Sequence, residues 1–176
     1  MIQYRRLHAD EICRDLFGAF VRHQNVTKCR RKENGVWVIK DDPFVDDWSE
    51  QDYQILIACL RNTDMTNGFV YAAFYNDNLK GFVSVESDFF GDGQQYLDLT
   101  SIHVSEDVRG YGIGKHLFLA AKEWAAERGA KKLYISAHSA VETQAFYQSM
   151  GCVEALYYHQ KHVEAEPFDC QLECVL

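Results

Sequence analysis

Nowhere in the 176 residues is there an apolar run of 18, so no segment reads as a membrane-crossing helix. Basic side chains are scarce as well. Lys and Arg number 18 against 26 Asp and Glu, giving a formal charge of −8, whereas a chain that binds DNA or RNA normally presents a basic face. The one basic cluster, Lys28-Cys29-Arg30-Arg31-Lys32, reads as a solvated turn. The first residues, Met1-Ile2-Gln3-Tyr4-Arg5-Arg6, lack an apolar signal core, so the cytoplasm is the expected compartment and free thiols the expected state of the six cysteines. There is no repeat, low-complexity tract or long linker, and this length suffices for one core but not two, so a single domain over 1–176 is expected. What the chain does have is 47% hydrophobic and 14% aromatic residues, enough for a packed interior.

Taken in order, Ile2 to Leu7 has strand character, and Ile12, Leu16, Phe17 and Phe20 fall at helical spacing. Nothing periodic appears from Gln24 to Asn34-Gly35, a turn signal that precedes the strand-like Val36 to Ile39. Asp41, Asp42, Asp46 and Asp47, mixed with Phe44 and Trp48, read as a loop. Ser49 and Asp52 can cap a helix carrying Tyr53, Leu56, Ile57 and Leu60. Gly68–Tyr75, Leu79–Glu86 and Tyr96–Val104 form an antiparallel meander, with Asn76-Asp77-Asn78 as the first connection.

Next comes a helix to Arg128 with Ile113, Leu117, Ala121 and Trp124 in one stripe, stopped by Gly129. Leu133 to Ile135 must then run parallel to the Tyr96 strand if the helix is a crossover. Ser139 and Glu142 look like a capping box for a further helix with Ala145, Phe146, Ser149 and Met150 inward. Val153–Tyr158 and Phe168–Val175 close the chain as strands. Cys170 and Cys174, with His162 nearby, have the residue types of a metal site, but alternation places both thiols on one apolar strand face, so packing and no metal is expected. The class is α+β.

Between the Tyr96 strand and the helix lies Val108-Arg109-Gly110-Tyr111-Gly112-Ile113-Gly114-Lys115. Three glycines leave backbone N–H groups unshielded where a helix begins, and the helix dipole adds positive charge there, so the turn suits phosphate oxygens. A Walker loop would need Gly and a Ser or Thr where Arg109 and His116 stand. A dinucleotide fingerprint would need Gly at Lys115 or Leu117.

The remaining pattern, Arg-x-x-Gly-x-Gly at 109 to 114 after a strand and before a helix, resembles the pyrophosphate loop of the GNAT N-acetyltransferases. The resemblance is fullest from Gly68 to Tyr158. It implies a mixed sheet, with an antiparallel meander and one parallel pair, flanked by helices, and acetyl coenzyme A as cofactor. It also implies that Arg109, Gly110, Tyr111, Gly112, Ile113, Gly114 and Lys115 seat the diphosphate, although Lys115 reads equally as a solvent-facing helix residue. Main-chain groups at Ile102, His103 and Val104 would line the coenzyme. Tyr147, in Tyr-x-x-x-Gly with Gly151, matches the general acid, the alternative being a core aromatic.

Asp98 matches an acidic residue that takes the amine's proton; the alternative is the polar side of a strand, with Glu86 and His103 as substitute bases. Strict alternation puts His103 on the opposite face from Asp98. Where relatives commonly carry Asn seven residues before the Tyr, this chain has Ala140, leaving Ser139 beside it to contact the coenzyme. The expected activity is acetyl transfer to a primary amine, by direct attack in a ternary complex. The acidic and aromatic residues from Trp37 to Trp48 either draw a small cationic acceptor or form a solvated turn. A coenzyme-binding sensor and a peptide or protein acetyltransferase are the rival readings, and self-association as a homodimer is a further implication of the family.

Overall fold

A computed structural model describes residues 1–176. Seven strands form the main sheet: β1 (Gln3–Arg6), β4 (Phe69–Tyr75), β5 (Asn78–Val85), β6 (Tyr96–Val104), β7 (Lys132–Ala137), β9 (Cys170–Val175) and β8 (Val153–Glu154), in that spatial order. All neighbours are antiparallel except β6 and β7. Two further strands, β2 (His23–Glu33) and β3 (Val36–Asp47), form a separate hairpin. The helices are α1 (Glu50–Met65), α2 (Ile113–Glu127), α3 (Val141–Ser149) and the short α4 (Gln160–Ala165). No helix is long and apolar enough to cross a membrane.

The two long helices sit on opposite faces of the sheet. Helix α1 starts at a capping box, Ser49 Oγ accepting from Asp52 N at 3.2 Å while Asp52 Oδ2 accepts from Ser49 N at 2.7 Å. It buries Tyr53, Ile57 and Leu60 over Phe82 and Leu7. Helix α2 buries Ile113, Leu117 and Ala121 over Val83, Val85, Leu97 and Leu99. Gly81 in β5 allows this close approach, since a Cβ there would lie 2.8 Å from Ile113 Cγ2 and 3.1 Å from Leu117 Cδ1. The glycine thereby sets the start of α2 down on the sheet.

Several local readings are corrected by tertiary context. The helical spacing from Ile12 to Phe20 yields only a 3-10 turn, Arg14–Phe17, because its aromatic side chains are needed on α1 and β5. The patternless stretch after Gln24 and the acidic run to Asp47 are both strand. Their charges pair across the hairpin, Arg31 with Asp42 at 2.7 Å, Arg22 with Asp46 at 2.5 Å and His23 with Asp47 at 2.6 Å. Lys28 to Lys32 therefore belongs to a ribbon and is no turn; Cys29 is buried and bridges Ala140.

The first meander connection is a two-residue turn, Asn76 and Asp77 both having positive φ. The final strands are shorter than expected, and α4 occupies part of the stretch between them. In α3 the inward residues are Gln144 and Tyr147, while Ala145 and Ser149 are exposed. Its N-cap is Ala140, without a side-chain cap; the Ser139 hydroxyl accepts instead from Arg31 Nη1 at 2.5 Å.

Candidate active site

Strands β6 and β7 pair only over Tyr96–Asp98 and Lys132–Tyr134. Beyond Asp98 they part, and a cavity of about 570 Å³ opens between them. It is lined from both faces of the sheet. On the α2 side stand Leu99, Val104, Ile135, Phe146 and Tyr147, an apolar wall. On the opposite side stand Ser101, His103, Ser136 and His138 of the parting strands, with Arg22 and Arg109 towards the hairpin and Glu166 and Asp169 beyond α4.

A β-bulge decides which residues share that polar side. Val85 pairs with Leu99 but Ser84 pairs with Ser101, so Thr100 is the extra residue and the alternation of β6 changes phase there. Asp98 and His103, assigned to opposite faces by strict alternation, consequently lie on the same face. His103 packs edge-on against Trp48 at 4.7 Å. Part of its surface reaches the cavity, yet burial, then Arg22 and Arg109, push its pKa down to about 3, so the ring is neutral and weakly basic at neutral pH.

At the rim of the opening, none of the six backbone amides from Gly110 to Lys115 has a hydrogen-bond partner in the chain; the first bond of α2 is His116 N to Gly112 O at 3.1 Å. Gly110 and Gly112 have φ of 86° and 78°, a conformation that aims successive N–H groups outward and that side chains disfavour. The Lys115 side chain is exposed, as is Tyr111. Arg109 turns towards the hairpin, Nη2 donating to His23 O at 2.7 Å.

Tyr147 is buried and lines the cavity, its ring edge-on to Phe118 and Phe146. Its hydroxyl makes no hydrogen bond within the chain, and burial raises its pKa above the ordinary 10, keeping the proton on. Asp98 sits at the apex of the split, one residue before the first lining residue, Leu99. Its Oδ2 is 2.6 Å from His162 Nε2 of α4, while Oδ1 is buried and unpartnered. The pairing raises the His162 pKa against the opposing effect of burial.

Of the other expected site residues, Ile102, His103 and Val104 line the cavity, as does Gly114. Ser139 does not; it is buried under Arg31 of β2, and His138 takes the wall position. Glu86 does not line the cavity; its Oε1 accepts from Thr63 Oγ1 of α1 at 2.5 Å, and its N bonds Asp98 O at 2.9 Å. Cys170 and Cys174 pack in the α2-side core, while His162 turns to Asp98 on the other side. Arg22 and Glu166 were missed because they lie in connections without periodicity, and Asp169 because it takes the outward position next to Phe168 and Cys170 in the alternating run 168–175.

Taken together, a sheet split around a cavity, with an amide-rich helix start at one lip and a protonated phenol inside, defines a protein that can hold an elongated anionic ligand across its sheet. The acetyltransferase (GNAT) family model matches residues 33–152, and the chain belongs to that family. Its fold is similar to those of a nourseothricin acetyltransferase, with 20% identity over 98% of this chain and 95% of the other and a TM-score of 0.66. A Bacillus anthracis str. Ames protein, provisionally assigned as a streptothricin acetyltransferase and solved with acetyl coenzyme A, gives 18%, 98%, 96% and 0.69 in the same order. The PaiA N-acetyltransferase of Thermoplasma acidophilum, solved with coenzyme A, gives 14%, 100%, 99% and 0.63.

Proposed function

We propose that this chain is an acetyl-coenzyme-A-dependent N-acetyltransferase that moves an acetyl group to the primary amine of a small molecule, the amine arriving as an ammonium group. The observation that carries this reading is the parting of β6 and β7 just beyond Asp98, with Tyr147 inside the gap and six free amides at its rim. The complexes of the similar folds with coenzyme A and acetyl coenzyme A support the choice of cofactor.

The residues present fit such a group. The amides of Gly110 to Lys115 would receive its diphosphate, and the apolar wall of Leu99, Ile135 and Phe146 its uncharged arm. When bound, acetyl coenzyme A supplies an acetyl thioester. Unpaired N–H groups of β6 beyond the bulge lie where they can polarise a carbonyl. Tyr147 holds a proton at Oη inside the cavity for a departing sulfur. Asp98, oriented by His162 and with Oδ1 free, is the proton acceptor, reached from the cavity through water. His103, whose ring burial keeps neutral, and Glu86, whose carboxylate accepts from Thr63 Oγ1 at 2.5 Å, are the substitute bases.

Attack is direct, because no cysteine lines the cavity to carry the acetyl group. Glu166 and Asp169, neither in an ion pair with Lys or Arg, face the acceptor half and favour an ammonium group at that end. The nourseothricin acetyltransferase of similar fold supports a small-molecule acceptor. The test is release of free thiol from acetyl coenzyme A with a panel of small amines and lysine peptides. Turnover with small amines supports the reading; coenzyme binding without turnover makes the chain a sensor, and saturation by peptides alone makes it a protein acetyltransferase.

A further inference from the structure

The acceptor half of the cavity is charged at both ends, and only its acidic end is used above. At the other end Arg22 has a side chain only 8% exposed, yet it lines the cavity. Asp46 accepts one of its N–H groups, from Nη2 at 2.5 Å; Nε is buried and has no partner. A buried guanidinium N–H without an acceptor costs roughly 1–3 kcal/mol, more for a charged group, so such an orphan beside a cavity calls for an acceptor atom from a ligand. Arg109 lies close enough to repel it and forms no ion pair of its own, its Nη2 being spent on a backbone carbonyl. Asp46 is the one carboxylate bonded to either cation; Asp47, which also attracts Arg22, is bonded to His23 at 2.6 Å. The neighbouring His103 is neutral and supplies no negative charge.

Position decides what kind of anion belongs there. Arg22 packs over Trp48, at 5.2 Å, on the face of the sheet that carries His103 and Phe82, whereas the free amides of Gly110 to Lys115 open at the start of α2, which lies on the other face. The coenzyme's phosphates have their own seat, and the Arg22 end belongs to the acceptor.

We infer that Arg22, assisted by Arg109, forms a carboxylate subsite, so that the acceptor is an amino-acid-like molecule bearing both an amine and a carboxylate. This rests on the transferase reading and narrows it. The carboxylate docks at the Arg22 end, and the ammonium group lies towards Glu166 and Asp169 before it loses its proton. A planar guanidinium with donors left over from Asp46 suits a carboxylate better than a point charge does.

The test compares amino acids with their carboxamides, which keep the amine and shape but lose the anion. For the wild type, kcat/KM for an acid is expected to exceed that for its amide by about tenfold or more, the scale of one lost charge-assisted hydrogen bond. In Arg22→Gln the ratio falls towards one while KM for acetyl coenzyme A is unchanged. Asp46→Asn, which loosens the same ion pair but keeps the guanidinium, retains the preference; this separates ligand binding from a merely structural role. Calorimetric titration of acid and amide into the enzyme–coenzyme A complex reads the subsite without turnover. Tight binding of the acid with no acetyl transfer would support the subsite and sink the transferase reading. Equal use of acids and amides, a preference for polyamines lacking a carboxylate, or a rise in KM for acetyl coenzyme A alone in Arg22→Gln would overturn the inference and leave that reading standing.

Discussion

Removing a single oxygen, in Tyr147→Phe, separates chemistry from architecture. The hydroxyl has no partner within the chain, so its loss breaks no internal hydrogen bond, and the ring keeps its contacts with Phe118 at 6.3 Å and Phe146 at 5.3 Å. Stability should change by no more than about 0.5 kcal/mol, since no buried group is left unsatisfied. If the phenol supplies the proton to the leaving sulfur, kcat should fall by about 10²–10⁴-fold, the usual worth of a positioned acid, or roughly 3–5.5 kcal/mol of barrier. The assay is continuous thiol release at saturating acceptor, with the affinity for coenzyme A measured by calorimetry as a control and melting temperature as a second.

The pH dependence adds a constraint. Because burial disfavours the phenolate, Tyr147 stays protonated below the ordinary tyrosine value of 10, and it should impose no descending limb on kcat below about pH 9. A variant within threefold of wild type across pH 6–9 would refute the acid role. A limb with an apparent pKa near 8 that vanishes in the variant would keep the acid role but refute the upward shift that burial imposes.

Three other outcomes are expected. Asp98→Asn should lower kcat about 10²-fold, and by NMR it should bring the raised pKa of His162 back towards 6.5. Since the folded-state value is raised, the stabilisation from this pair is complete below pH 6.5 and disappears as pH climbs through the higher folded value; that slope should be absent from melting curves of Asp98→Asn. Gly112→Ala forces a side chain into φ 78° and should cost about 1 kcal/mol by urea titration while weakening coenzyme A binding; unchanged affinity would argue against the amide seat. Glu154→Ala removes the acceptor of Lys32 Nζ at 2.6 Å and Trp37 Nε1 at 3.1 Å, and should speed hydrogen exchange in β2 and β3 severalfold with the main sheet unaffected.

The parts legible in the sequence are those whose determinants are local. The Arg109–Lys115 turn, the α2 stripe and the Ser49 cap each combine a helix start with the side chains that explain it within a few residues. The β2–β3 hairpin was opaque for the opposite reason. Its one buried patch is Val26 and Cys29 against Ala140, and the rest of its logic is cross-strand charge pairing, which no periodicity along the chain reveals. The Thr100 bulge was equally hidden, because a phase change in β6 is visible only against β5. It reverses the side on which His103 lies, so the acceptor half could not be assembled from alternation alone. The Ser139 cap failed because Arg31, 108 residues distant in sequence, claimed the hydroxyl.

The hairpin also reaches both lips of the split. His23 O receives Arg109 from beyond the end of β6, and Arg30 N bonds Ser139 O, beyond the end of β7, at 2.8 Å. One ribbon therefore acts as a crossbar whose span gauges the aperture. Selectivity for the incoming molecule can then drift through insertions or charge swaps in a single detachable module, while the machinery that grips the donor is inherited unaltered.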